Sequence, residues 1–170
     1  MSHDSDAVVE SVLIAGLALT RLSSRSIAAV HEKVTSRQFQ TLVMLAVQGS
    51  QSQATLADQL GVHESSMSRM CDRLVARGLL LRARSAQDRR AVIVELSPAG
   101  MMLFDEVTRA RDRMVEAATR QIEPETQIAA ARALRRFALA AGVGAAADTT
   151  ADLDGVALQI QSIFPVAPCT

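Results

Sequence analysis

Between positions 64 and 77 the chain reads ESSMSRMCDRLVAR, and two kinds of residue are separated there at helical spacing. Met67, Cys71, Leu74 and Val75 would share one side of a helix, while Ser65, Ser66, Ser68, Arg69, Asp72 and Arg73 would share the other. Short hydroxyls near a helix start let its backbone come close to a surface. Arginine behind them offers a planar fork that can bond a guanine edge bidentately or hold a phosphate. Ser65, Ser66, Ser68 and Arg69 are thus candidates for base edges in a major groove, with Arg73 at a phosphate or the groove edge. Arg84, Arg89 and Arg90 follow on what reads as a hairpin, and Asp88, opposite in sign to a phosphate, is expected to pair with an arginine and fix the hairpin tip. Arg77 and Arg82 read equally well as a solvated positive face and as phosphate contacts.

Other chemistry is poorly served. Catalysis would ask for a nucleophile beside a base, paired carboxylates on an apolar background or a phosphate-cradling glycine loop, and none is spaced for it. No enzyme and no cofactor are expected. His3, His31 and His63 share no metal-ligand spacing, and His63 reads as a polar turn residue before it reads as a ligand. A metal held by His31 and acids would need two chains to converge, and nothing in the sequence asks for one. Cys71 and Cys169 lie far apart. Cys71, on the apolar side of its helix, reads as a small core residue ahead of a redox sensor, and Cys169 as an exposed terminal residue.

These residues must be held by elements that the pattern also predicts. Ala54–Leu60 reads as a short helix stopped by Gly61, Val62 plugs the turn, and the next helix runs to about Arg77 with Gly78 as its stop. Two strands, Leu79–Arg84 and Ala91–Leu96, complete a helix-turn-helix followed by a basic wing. Upstream, residues 7–33 carry apolar positions without a proline and read as one helix of ~40 Å at 1.5 Å per residue, longer than one small lobe can cover. A second copy of the chain is the natural cover. Thr35 and Gln38 resemble a capping box at the start of the following helix, and Gly49–Ser52 reads as a polar turn in which Ser52 caps the next helix. Ser97-Pro98 opens a helix reaching about Ile122, Glu123-Pro124 breaks it, and a last helix spans about Glu125–Ala141. In the tail, Leu153, Val156, Ile160 and Ile163 predict a short amphipathic helix packing on the helical region.

Two linked motifs give this pattern a family. Asp88-Arg89-Arg90, followed after five residues by Leu96-Ser97-Pro98-Ala99-Gly100, resembles the wing signature of the MarR (multiple antibiotic resistance regulator) family. SSMSRMCDRLVARGLL is similar to that family's recognition-helix pattern. The resemblance covers roughly residues 7–141. It implies a mainly α fold with a small β-hairpin wing, divided into a DNA-binding lobe at about 36–97 and dimerisation helices at about 7–33 and 98–141. Residues 1–6 would be a flexible N-terminus, and 142–170 a linker with the short C-terminal helix. It further implies a homodimeric transcriptional regulator on double-stranded DNA, with a small-molecule effector in a cleft for which Leu22, His31 and Phe39 are candidates. A winged-helix module that binds protein instead of DNA is the competing reading. The Ser/Arg face argues against it, because protein interfaces favour aromatics and methionine.

Composition agrees. Of 170 residues, 18 are basic and 18 acidic, a formal net charge of zero, yet the segment 69–90 holds seven arginines against Asp72 and Asp88. A neutral chain with local positive charge has a footprint for an anionic partner and no generally adhesive surface. Seventeen of the basic residues are arginine, which with the abundance of alanine fits a high-GC bacterial genome. The polar, acidic start MSHDSDAVVE predicts no secretory leader, and no apolar run reaches the ~20 residues of a membrane span, so no membrane partner and a cytoplasmic location are expected.

Overall fold

The computed structural model describes the backbone of residues 2–84 and 91–142 and the side chains of 6–84 and 91–142. Six helices and three strands follow in the order α1 (Ser2–Val30), α2 (Ser36–Gln48), β1 (Gln51–Ser52), α3 (Gln53–Gln59), α4 (Glu64–Ala76), β2 (Leu80–Arg84), β3 (Val92–Leu96), α5 (Pro98–Thr119) and α6 (Pro124–Ala140). The expected C-terminal helix, the hairpin tip and Cys169 lie outside the described residues.

The helix starts come from local chemistry. Thr35 accepts from the Gln38 backbone at 3.3 Å while the Gln38 side chain accepts from the Thr35 backbone at 3.1 Å, a complete capping box for α2. Ser52 caps α3 by accepting from Thr55 at 3.0 Å, and Ser97 caps α5 by accepting from Gly100 at 3.0 Å with Pro98 following it. Around these ends α2, α3, α4 and the sheet close on one core, in which Leu42, Leu56, Met67, Leu74, Leu80 and Val94 are fully buried. Each such side chain contributes about 1.5–3 kcal/mol of burial.

Several expectations are corrected. The turn at Gly49–Ser52 contains a strand: Gln51 and Ser52 pair antiparallel with Val94 and Ile93, so the sheet has three strands in the order β1-β3-β2, not two. Two polar residues carry no alternation from which to read a strand; β3 supplies the pairing. α1 starts at Ser2 and ends at Val30, not 7 and 33, because the chain turns through His31–Lys33 to reach the capping box. The expectation that no apolar run is long enough for a membrane also fails for α1. Asp6–Val30 is long and apolar enough to cross one by length and composition.

α1 packs along α5, burying Ser23, Ser26 and Ile27, but its N-terminal half is bare: Leu13 is 68% and Ile14 60% exposed. α6 has no buried residue at all, and Phe137 is 51% exposed.

Candidate nucleic-acid interface

α4 divides by side, as its spacing requires. Met67, Met70, Cys71 and Leu74 are buried, an i, i+3, i+4, i+7 stripe that seats the helix on the core. Ser65, Arg69, Asp72 and Arg73 are exposed opposite them, with Ser66 and Ser68 half-buried at the flanks. Met70 belongs to the buried stripe although it was not expected there, and Val75 is only half-buried at its edge. Glu64 in the first turn suits the positive end of the helix dipole, while His63 at the N-cap makes no side-chain cap bond. The exposed side of α4 is continuous with β2, where Arg82 and Arg84 are also exposed.

The two arginines left open by the sequence receive definite partners. Arg82 pairs with Asp72 across the α4–β2 junction at 2.7 Å, both side chains being well over a quarter exposed. Arg77, itself exposed, donates through Nη1 to the Lys33 carbonyl at 2.5 Å and to Gln38 Oε1 at 3.2 Å. Neither partner was visible in the sequence, because each pairing depends on how separate elements meet. Cys71 is fully buried, and burial pushes its thiol above the ordinary range. Asp88, Arg89 and Arg90 lie outside the described residues.

The junction behind α4 is close-packed. Gly78 adopts φ 72°, a left-handed conformation suited to glycine, and its carbonyl accepts from Ser97 Oγ at 2.5 Å. Ser97 N–H donates to the Leu79 carbonyl at 3.1 Å. That same carbonyl lies 2.1 Å from where a Cβ on Gly100 would sit, so only glycine fits in the first turn of α5.

Phe39 is a core residue, 4% exposed, with its ring stacked on Phe104 at 6.3 Å. Leu22 is half-buried on α1, and His31 is half-buried after it with Nδ1 buried and unpartnered. A cavity of about 490 Å³ lies between α1 and α5, lined by Leu19, Ser23, Arg111, Val115 and Thr119 among others; Leu22, His31 and Phe39 are not in its lining. Among the described residues no group of three or more His, Cys, Asp or Glu could hold a metal.

A short helix, a turn, a second helix with a Ser/Arg outer side and a three-stranded sheet with a basic outer strand define a winged helix-turn-helix. The sequence profile of the MarR family matches residues 34–92. The chain is 32% identical over 109 residues to the HTH-type transcriptional repressor NicR of Pseudomonas putida, covering 64% of this chain and 69% of that one. It is 29% identical over 108 residues to the HTH-type transcriptional repressor MdtR of Bacillus subtilis, covering 64% and 70%. Among solved structures, RV1404 from Mycobacterium tuberculosis superposes with a TM-score of 0.74 at 36% identity, over 81% of this chain and 94% of that one. The chain belongs to the MarR family and is a transcriptional regulator of the DNA-binding, winged-helix kind.

Proposed function

We propose that the chain is a ligand-responsive repressor that binds an inverted-repeat operator as a homodimer in the cytoplasm. The observation that carries this reading is the two-sided α4, whose buried Met67, Met70, Cys71 and Leu74 turn Ser65, Arg69 and Arg73 outward together. Ser65, Ser66, Ser68 and Arg69 read base edges, while Arg73 and Arg84 hold phosphates or the groove edge. Arg89 and Arg90 at the wing tip reach the minor groove or its flanking phosphates, and Asp88 fixes the tip. Repression is supported by the two relatives named as repressors.

The dimer is supported by the bare apolar sides of α1 and α6, where Leu13, Ile14, Ile128 and Phe137 are each at least half exposed. A monomer gains nothing from exposing them. A two-fold pair places its two α4 helices about one duplex turn, ~34 Å, apart, so the operator reads as an inverted repeat. A small ligand near Leu22, His31 and Phe39 releases DNA if it binds a different spacing of the pair more tightly. It would reach Phe39 only by opening the core around it.

The test is salt-dependent binding to the duplex upstream of the chain's own gene. Arg69→Ala should cost about 1–3 kcal/mol and relax specificity at one base pair, whereas Arg90→Ala should weaken all sequences alike and reduce the salt slope by about one. If both variants bind with wild-type affinity and slope, the DNA surface assigned here is wrong.

A further inference from the structure

We propose that Arg77 is a positioning residue that sets how strictly the protein discriminates the separation of two half-sites. The inference rests on the DNA-binding reading above. α4 ends at Ala76, and three attachments hold the chain just beyond it. On one side, Arg77 Nη1 donates to the Lys33 carbonyl at 2.5 Å and to Gln38 Oε1 at 3.2 Å, the first contact spanning 44 residues of chain. Gln38 is 5% exposed, and its Oε1 also accepts from the Thr35 backbone at 3.1 Å, so the guanidinium is tied into the capping box of α2 at the corner where α1 ends. On the other side, Ser97 donates to the Gly78 carbonyl through Oγ and to the Leu79 carbonyl through N–H, fastening the same point to the start of α5. In the first turn of α5, a Cβ on Gly100 would lie 2.1 Å from that carbonyl, so the two segments pass closely there.

The end of the recognition helix is therefore referenced to the turn that joins α1 to α2, through Arg77, and to the start of α5, through Ser97. α4 is a lever of 13 residues, ~20 Å at 1.5 Å per residue. Its outward Ser65 and Arg69 lie towards the end far from these pins, so a small tilt at Arg77 becomes a larger displacement at the bases. With Arg77 in place, the lobe cannot follow a half-site moved by one base pair without breaking charge-assisted bonds. Without it, the end of α4 is held by the Ser97 attachments alone and is freer to tilt. Arg77 donates to two uncharged oxygens of its own chain, so this role needs no phosphate.

The experiment first selects a duplex from a random pool with the wild-type dimer, then makes derivatives with one or two base pairs inserted at its centre. Affinities and salt slopes are measured by fluorescence anisotropy for wild type, Arg77→Ala, Arg77→Gln and Arg77→Lys. Wild type should bind the inserted duplexes at least about fivefold more weakly, within the usual range of coupling between sites. In Arg77→Ala and Arg77→Gln that penalty should shrink to less than about twofold, with the salt slope unchanged, and Arg77→Lys, which keeps a charged donor, should restore part of it. An unchanged spacing penalty in Arg77→Ala and Arg77→Gln overturns the proposal. So does a salt slope lower by about one on every duplex, which would make Arg77 a phosphate contact. A drop in melting temperature with the spacing penalty intact would leave Arg77 only a structural part and also overturns it. Failure of the wild type to select any duplex would instead defeat the DNA-binding reading on which the proposal stands.

Discussion

Cys71 lies among Met67, Met70 and Leu74 on the buried side of α4, where the thiol is favoured over the thiolate because burial raises its pKa above the ordinary 9.0. Below that value the thiol is protonated in folded and unfolded chains alike, and Cys71 adds no pH dependence. Above it the unfolded chain loses the proton first, so the folded state loses stability as pH rises. The melting temperature should fall between pH 9 and 11 with a component that Cys71→Ala lacks; equal slopes for the two proteins would show that the thiol does not titrate differently on folding. Gly100 gives a sharper expectation. With the Leu79 carbonyl 2.1 Å from its missing Cβ, Gly100→Ala should destabilise by about 3 kcal/mol in a denaturant titration, and a loss below about 1 kcal/mol would mean the α5 junction yields easily. Both residues stood in the sequence motifs, but only Cys71 was legible there. Helical spacing places Cys71 inward, whereas the need for glycine at 100 comes from a carbonyl that the chain brings back from residue 79.

Among the elements, α4 and β2 are joined by an exposed ion pair. The Asp72–Arg82 pair at 2.7 Å is well exposed and adds no more than about 1 kcal/mol of stability, but it places a carboxylate beside an arginine on the basic side. Asp72→Asn should leave the melting temperature nearly unchanged and tighten binding to unrelated duplex DNA about two- to tenfold, with a steeper salt dependence as Arg82 becomes free for phosphate. Weaker binding in the variant would mean instead that the pair orients the wing. The Thr35–Gln38 capping box, the Ser52 and Ser97 caps and both wing strands could be read in order, since each depends on residues within a few positions of one another. β1 could not, because Gln51 and Ser52 are a strand only by virtue of Val94 and Ile93. Arg77 and Arg82 stayed ambiguous for the same reason: an arginine's sequence neighbours do not say which distant oxygen it will meet.

At the level of the whole molecule, the length of α1 was legible, and it already called for a cover that one lobe does not provide. In the folded chain Leu13 remains 68% and Phe137 51% exposed. On the proposed dimer, Leu13→Glu or Phe137→Glu should shift sedimentation to the monomer at micromolar concentration and cost operator binding more than tenfold, because each monomer holds one half-site only. A charged variant that stays dimeric would place the interface elsewhere. α6, without one buried side chain, carries a further consequence for the life of the protein in a cell. A helix of 17 residues that buries no side chain among the described residues is marginal alone in water, so a newly made chain would carry it unprotected until it met another. Pairing is second order in concentration and clearance of single chains is first order. A gene expressed at a trickle would therefore lose most of its product to proteolysis, and one expressed slightly faster would keep it, so the working level of the regulator would follow its rate of synthesis more steeply than in proportion.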